Sequence, residues 1–93
     1  MAAVLRIPTV LRLAFNGQTT IEVEGATIGE VLASVSATYP ATAGQLLDEN
    51  GALHRFLNIY VNDDDVRYIG GLNAPVADGD DITLLPAVAG GAA

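Results

Sequence analysis

The residues of this 93-residue chain best suited to chemistry stand near its end. Gly90 and Gly91 form a pair without Cβ atoms, thin and extensible enough to thread a narrow channel. Such a pair can bring a carboxylate up to the α-phosphate of ATP without side-chain clashes. A carboxylate by itself is a poor electrophile, because its oxygen leaves badly. A diglycine alone is weak evidence, since Gly70-Gly71 repeats it in the same chain. Position distinguishes the second pair: it lies in a short tail of small residues just after the final strand and Pro86.

The other candidates have plainer explanations. Asp63, Asp64 and Asp65 invite a metal reading, but a calcium loop needs ligands at alternating positions, a glycine and a distal glutamate, and none follow. A solvated hairpin turn accounts for them. Asp78-Gly79-Asp80-Asp81 reads as a turn too, with Gly79 supplying a positive φ. Both runs add to a negative docking surface. His54 is the lone histidine, and without a Cys or Ser-acid partner in view it suits a surface or interface better than catalysis. Arg55 and Arg67 flank the central hairpin; pairing with local acids is the expectation, and contact with a partner is the second reading.

Composition narrows the classes further. Acids outnumber bases 11 to 4, for a net charge of −7. Nucleic-acid binding needs clustered Lys and Arg, and this chain has no lysine. The excess of acid suits solubility and a basic surface on a partner. Without cysteine there is no disulfide, thiolate catalyst or Cys-ligated metal. The chain calls for no cofactor of its own, and a reducing cytoplasm fits it. Arg6 and Pro8 interrupt the one early apolar stretch, so no signal peptide is legible. No run approaches the roughly 20 apolar residues that cross a bilayer.

These residues need a scaffold to hold them, and hydrophobic patterning outlines one. Apolar residues make up 51% of the chain, enough for one core. A first strand is expected near Val4–Ile7, then an irregular piece after Pro8 and a turn at Asn16-Gly17. Gln18–Val23 alternates polar and apolar, the mark of a strand with one wet face. Thr27 and Glu30 have capping-box spacing. Ile28, Val31, Leu32, Val35 and Tyr39 then recur with helical period, until Pro40 stops the helix. Ala41–Leu47 reads as a shorter second helix and Asp48–Gly51 as a loop. Phe56–Val61 is the strongest strand, followed by a turn over Asn62–Asp65 and a partner strand over Val66–Ile69. Gly70-Gly71 breaks that strand, Leu72–Val76 connects, and Ile82–Pro86 is the last strand. Residues 1–86 thus form one α+β domain, a sheet with one main helix across one face. Residues 87–93 form a flexible tail. If Leu57, Ile59 and Val61 face the helix, Phe56 and Tyr60 face outward, as Leu85 does when Ile82 and Leu84 face in. Phe56, Tyr60 and Leu85 are therefore the expected partner-binding patch.

The run from Asp78 through Ile82, Leu84, Pro86 and Val88 to Gly90-Gly91 resembles the ending of the MoaD/ThiS sulfur carriers. The segment from Leu53 through His54, Arg55, Phe56, Asn58 and Tyr60 to Asp63, with the opening Ile7-Pro8-Thr9-Val10-Leu11-Arg12, is closest to the actinobacterial CysO branch of that family. The resemblance covers nearly the whole chain. It implies a ubiquitin-like β-grasp roll, a mixed sheet with the first and last strands side by side at its centre.

The same resemblance implies a protein co-substrate rather than an enzyme. The Gly91 carboxylate would be adenylated by a ubiquitin-activating-type enzyme (MoeB- or ThiF-like) and converted to a thiocarboxylate, with Gly90 as the thin approach. In the CysO branch the sulfur passes to an activated serine derivative on a cysteine synthase, and a JAMM-type zinc metalloprotease releases the cysteine. One departure stands out: carriers of this family that are ready to work end at the second glycine, whereas here Ala92 and Ala93 follow. The expectation is that this tail is cleaved after Gly91. Two other functions use the same features: a protein modifier that forms isopeptides through Gly91, and an interaction domain with an inert tail.

Overall fold

The computed structural model describes residues 2–42, 44–48, 50–54 and 57–86. Strand β1 (Ala3–Arg6) runs into Pro8, whose missing N–H ends the ladder. The next seven residues, Thr9–Phe15, form a 3-10 helix in place of an irregular piece. Asn16 closes it with φ 60°, and the chain turns into β2 (Thr20–Val23). The turn at Asn16-Gly17 therefore stands, but it joins a helix to a strand.

Helix α1 spans Ile28–Thr38 and is the main helix. The Thr27 hydroxyl accepts from the Glu30 N–H (3.3 Å), and the Glu30 carboxylate accepts from the Ala26 N–H (3.0 Å). This is the expected capping box, with the glutamate reaching one residue further back. Ile28, Val31, Leu32 and Val35 form its buried face. Tyr39 sits at the C-terminal end and lays its ring 5.2 Å from that of Phe15.

Among the described residues, the second helix expected at Ala41–Leu47 does not form. Pro40–Thr42 makes one 3-10 turn, and Gly44 then takes φ 84°. A residue in that conformation ends a right-handed helix. Leu47 instead bridges Leu53 across the loop that follows.

Strand β3 (Leu57–Val61) carries the expected alternation, with Leu57, Ile59 and Val61 buried. Its partner strand does not lie at Val66–Ile69. It is the short β4 (Asp64–Asp65), reached through a two-residue turn at Asn62-Asp63 in which Asn62 has φ 57°. Val66–Tyr68 is a 3-10 turn capped by the Asp65 carboxylate, which accepts from the Arg67 N–H at 2.9 Å. A further 3-10 turn at Gly71–Asn73 passes under α1 and leads to β5 (Asp81–Pro86).

The sheet order is β2-β1-β5-β3-β4. Strands β1 and β5 pair in parallel, with Val4 opposite Asp81, Leu5 opposite Ile82 and Arg6 opposite Thr83. Strand β5 also pairs antiparallel with β3, from Leu57 opposite Pro86 to Val61 opposite Ile82. The last strand therefore lies in the middle, hydrogen-bonded on both sides. One core joins the buried face of α1 to Leu5, Ile59, Ile82 and Leu84, with Phe15, Leu46 and Val66 closing its margins. The architecture is the ubiquitin-like β-grasp roll.

Candidate functional site

The topology separates two poles. At one, β5 ends at Pro86, opposite Leu57 at the start of β3. Because β1 and β5 are parallel, the exit of β1 lies at this pole as well. Gly90, Gly91, Ala92 and Ala93 lie outside the described residues, as do Phe56 and Arg55. What the structure describes is the platform from which residue 87 departs.

Two arginines brace that platform. The Arg67 guanidinium donates to Asn58 Oδ1 (2.6 Å), the Leu57 carbonyl (2.8 Å) and the His54 carbonyl (3.1 Å). Its expected pairing with local acids is thus corrected: the side chain donates to two backbone carbonyls and the Asn58 side chain instead. A planar fork of donors suits several acceptors at once. Arg12 Nε donates to the Ile7 carbonyl at 3.2 Å and holds the 3-10 segment against the end of β1. His54 lies half-buried beside Arg67, its N–H donating to the Leu46 carbonyl at 3.1 Å.

On the sheet face turned from α1, Tyr60 stands opposite Thr83, and Leu85 stands opposite Asn58. Tyr60 and Leu85 are thus diagonal neighbours, a spacing at which long side chains meet one partner surface. Leu85 is 49% exposed, whereas Tyr60 is half-buried. The patch expected from sequence therefore has two described members on one face; the third, Phe56, falls outside. Sequence reasoning missed two more exposed apolar residues at this pole, Val10 and Leu13, because the segment holding them has no strand or α-helical period.

The opposite pole gathers acid. The turns at Asn62-Asp63 and Asp78-Gly79 meet there, beside β4 and the start of β5. Asn62 Nδ2 donates to the Asp80 carboxylate (3.3 Å), and Asn62 Oδ1 accepts from the Asp81 N–H (3.1 Å). Asp80 also accepts from the Ala77 N–H, and Asp78 from the Ala2 N–H. Asp81 pairs with Arg6 at 3.2 Å on the surface. The Asp78 and Asp80 carboxylates satisfy backbone N–H groups, in keeping with the turn reading of that run. Among the described residues no group of three His, Cys, Asp or Glu is arranged to hold a metal ion. Nor is any helix among them long and apolar enough to cross a membrane.

A mixed five-stranded sheet with its last strand at the centre and one main helix across one face defines the class: a protein of the ubiquitin-like β-grasp fold. Residues 5–91 match the ThiS family, and the chain belongs to it. It is 48% identical over 93 residues to the sulfur carrier protein CysO of Mycobacterium tuberculosis, with 98% of this chain and 100% of that one covered. The crystal structure of M. tuberculosis CysO superposes with a TM-score of 0.86 at 46% identity, covering 92% of this chain and 99% of that one. The structure of the Amycolatopsis orientalis BexX/CysO complex matches with a TM-score of 0.89 at 48% identity, covering 97% and 100%.

Proposed function

We propose that this protein is a sulfur carrier of the CysO type, a co-substrate whose working group is the Gly91 carboxylate. The observation that carries the proposal is where the family likeness stops: it ends at residue 91, at the second glycine, and leaves Ala92 and Ala93 outside.

In this sequence the Gly91 carboxyl is locked in the peptide bond to Ala92. The first step is therefore hydrolysis of that bond, releasing everything beyond Gly91 and freeing its carboxylate. A JAMM-type zinc metalloprotease is the candidate for the step. A ubiquitin-activating-type enzyme then joins the carboxylate to the α-phosphate of ATP, with pyrophosphate leaving. A sulfide equivalent attacks the acyl carbon and AMP departs, which leaves a thiocarboxylate. Its sulfur is the nucleophile toward an acceptor, for which an activated serine derivative on a cysteine synthase is our candidate. The tail from Ala87 to Gly91 extends at most about 17 Å from Pro86, at roughly 3.3–3.6 Å per residue. The chemistry happens on the partner within that radius, so the carrier needs no acid, base or metal of its own.

Ala92 and Ala93 displace any later carboxylate by about 7 Å or more, and they add Cβ atoms to a thin tail. Near-attack geometry fails at displacements of about an ångström, so the extended chain is an inactive precursor. The test compares the 93-residue chain with one ending at Gly91, in an ATP-dependent adenylation assay with the activating enzyme of the same organism. Turnover of the shorter chain alone is expected. Equal turnover of both, with the alanines still attached by mass spectrometry, would sink the precursor step. Turnover of neither would sink the carrier function and leave an interaction domain with an inert tail.

A further inference from the structure

The 3-10 segment Thr9–Phe15 carries two of the most exposed large apolar side chains among the described residues, Val10 at 74% and Leu13 at 95%. Runs of 3-10 helix beyond three or four residues are uncommon, and in this geometry side chains three apart eclipse. Val10 and Leu13 therefore stand one behind the other as a single apolar ridge. It is held firmly. Phe15 is fully buried, Leu11 and Ala14 pack against the core, and Arg12 ties the segment to Ile7. The far end is closed by the Gly17 N–H donating to the Arg12 carbonyl at 2.6 Å.

Two further observations say what the ridge meets. The first is position. Arg6 lies opposite Thr83, so Ile7 runs level with Leu84, and the segment after Pro8 springs from the level of Leu85 and Pro86. Any enzyme acting on Gly91 must come within about 17 Å of Pro86, the full reach of residues 87–91. It therefore faces this pole. The second is charge. Thr9–Phe15 contains no acid in a chain of net charge −7 and carries a bound arginine, while the acidic turns sit at the opposite pole.

We propose that Val10 and Leu13 form a docking ridge, seated against an apolar rim around the channel through which the tail-activating enzyme admits residues 87–91. The proposal rests on the carrier function above. It extends the contact surface beyond the sheet face of Tyr60 and Leu85 to the connection between β1 and β2. A preformed ridge loses little side-chain freedom on binding, which favours its use as an anchor. Contacts made equally in the bound complex and the transition state change KM and leave kcat alone.

The experiment uses the chain ending at Gly91, with and without the paired substitutions Val10→Ser and Leu13→Ser. Pyrophosphate release by the activating enzyme is followed while the carrier concentration is varied. Both side chains are exposed, so the melting temperature should hold within about 2 °C, well inside the roughly 4–8 °C that 1 kcal/mol would move it. The expected result is a KM at least about tenfold higher with kcat unchanged, as loss of an interface anchor predicts. A KM within twofold of the parent overturns the ridge while the carrier function stands. Failure of the unsubstituted chain to turn over removes both. Sedimentation velocity separates the remaining occupant: a dimer of the parent chain that the double substitution dissociates would assign the ridge to a second copy and overturn the proposal.

Discussion

Replacing Arg67 with alanine tests the brace at the start of β3. The side chain joins a 3-10 turn to the strand through three acceptors: Asn58 Oδ1, the Leu57 carbonyl and the His54 carbonyl. A net intramolecular hydrogen bond contributes about 0.5–1.5 kcal/mol, and more when one partner is charged. Two of the three bonds here are exposed, so water replaces much of what they give; the bond to Leu57 is partly buried and costs more to lose. The expected loss is about 1.5 kcal/mol. For a domain of this size that lowers the melting temperature by about 6–12 °C. Arg67→Lys should recover less than half, because a single ammonium on a flexible stem cannot span three acceptors set by a planar fork. Thermal unfolding followed by circular dichroism, with urea titrations alongside, measures both variants. A change of less than about 2 °C for Arg67→Ala, or full recovery with lysine, would refute the brace.

Two other expectations follow from particular contacts. Gly25 has φ 150°, and a Cβ there would lie 2.8 Å from the Val31 backbone nitrogen, so Gly25→Ala should cost at least about 2 kcal/mol in urea unfolding; a midpoint equal to the parent's would show that the turn into α1 relaxes freely. Tyr60→Ala removes a half-buried ring from the outer sheet face and should weaken binding to the activating enzyme by about 1–4 kcal/mol in calorimetry while the domain stays folded; unchanged affinity in a folded variant would move the interface elsewhere.

What could be read from sequence was whatever local period and capping encode. The spacing of Thr27 and Glu30, the face of Ile28, Val31, Leu32 and Val35, and the alternation of Leu57, Ile59 and Val61 all reappear in the structure. Leu85 faces outward as its alternation required. The parallel pairing of β1 with β5 came from the family resemblance, since the pattern of elements alone did not demand it. The failures have different causes, one in contacts distant along the chain and two in local backbone geometry. Val66, Arg67, Tyr68 and Ile69 have strand-like side chains, but Asn62 is held by Asp80 and Asp81, and that contact sets the hairpin two residues earlier. Val66 then turns inward as part of a 3-10 turn. Thr9–Phe15 is apolar without a period because a 3-10 helix buries Phe15 and leaves Val10 and Leu13 in water. Ala41–Leu47 reads as helical until Gly44 takes a positive φ.

The central place of β5 also has a mechanical consequence. A partner that draws residues 87–91 into a channel pulls on the end of β5 along the strand axis. That strand is bonded to β1 on one side and to β3 on the other. In the antiparallel ladder the hydrogen bonds lie perpendicular to the strands, and in the parallel ladder they are slanted. A load in this direction therefore shears both ladders at once, with many bonds sharing the force, where an edge strand peeled sideways would release them one at a time. The sheet thus acts as a stiff anchor for a pull applied beyond Pro86.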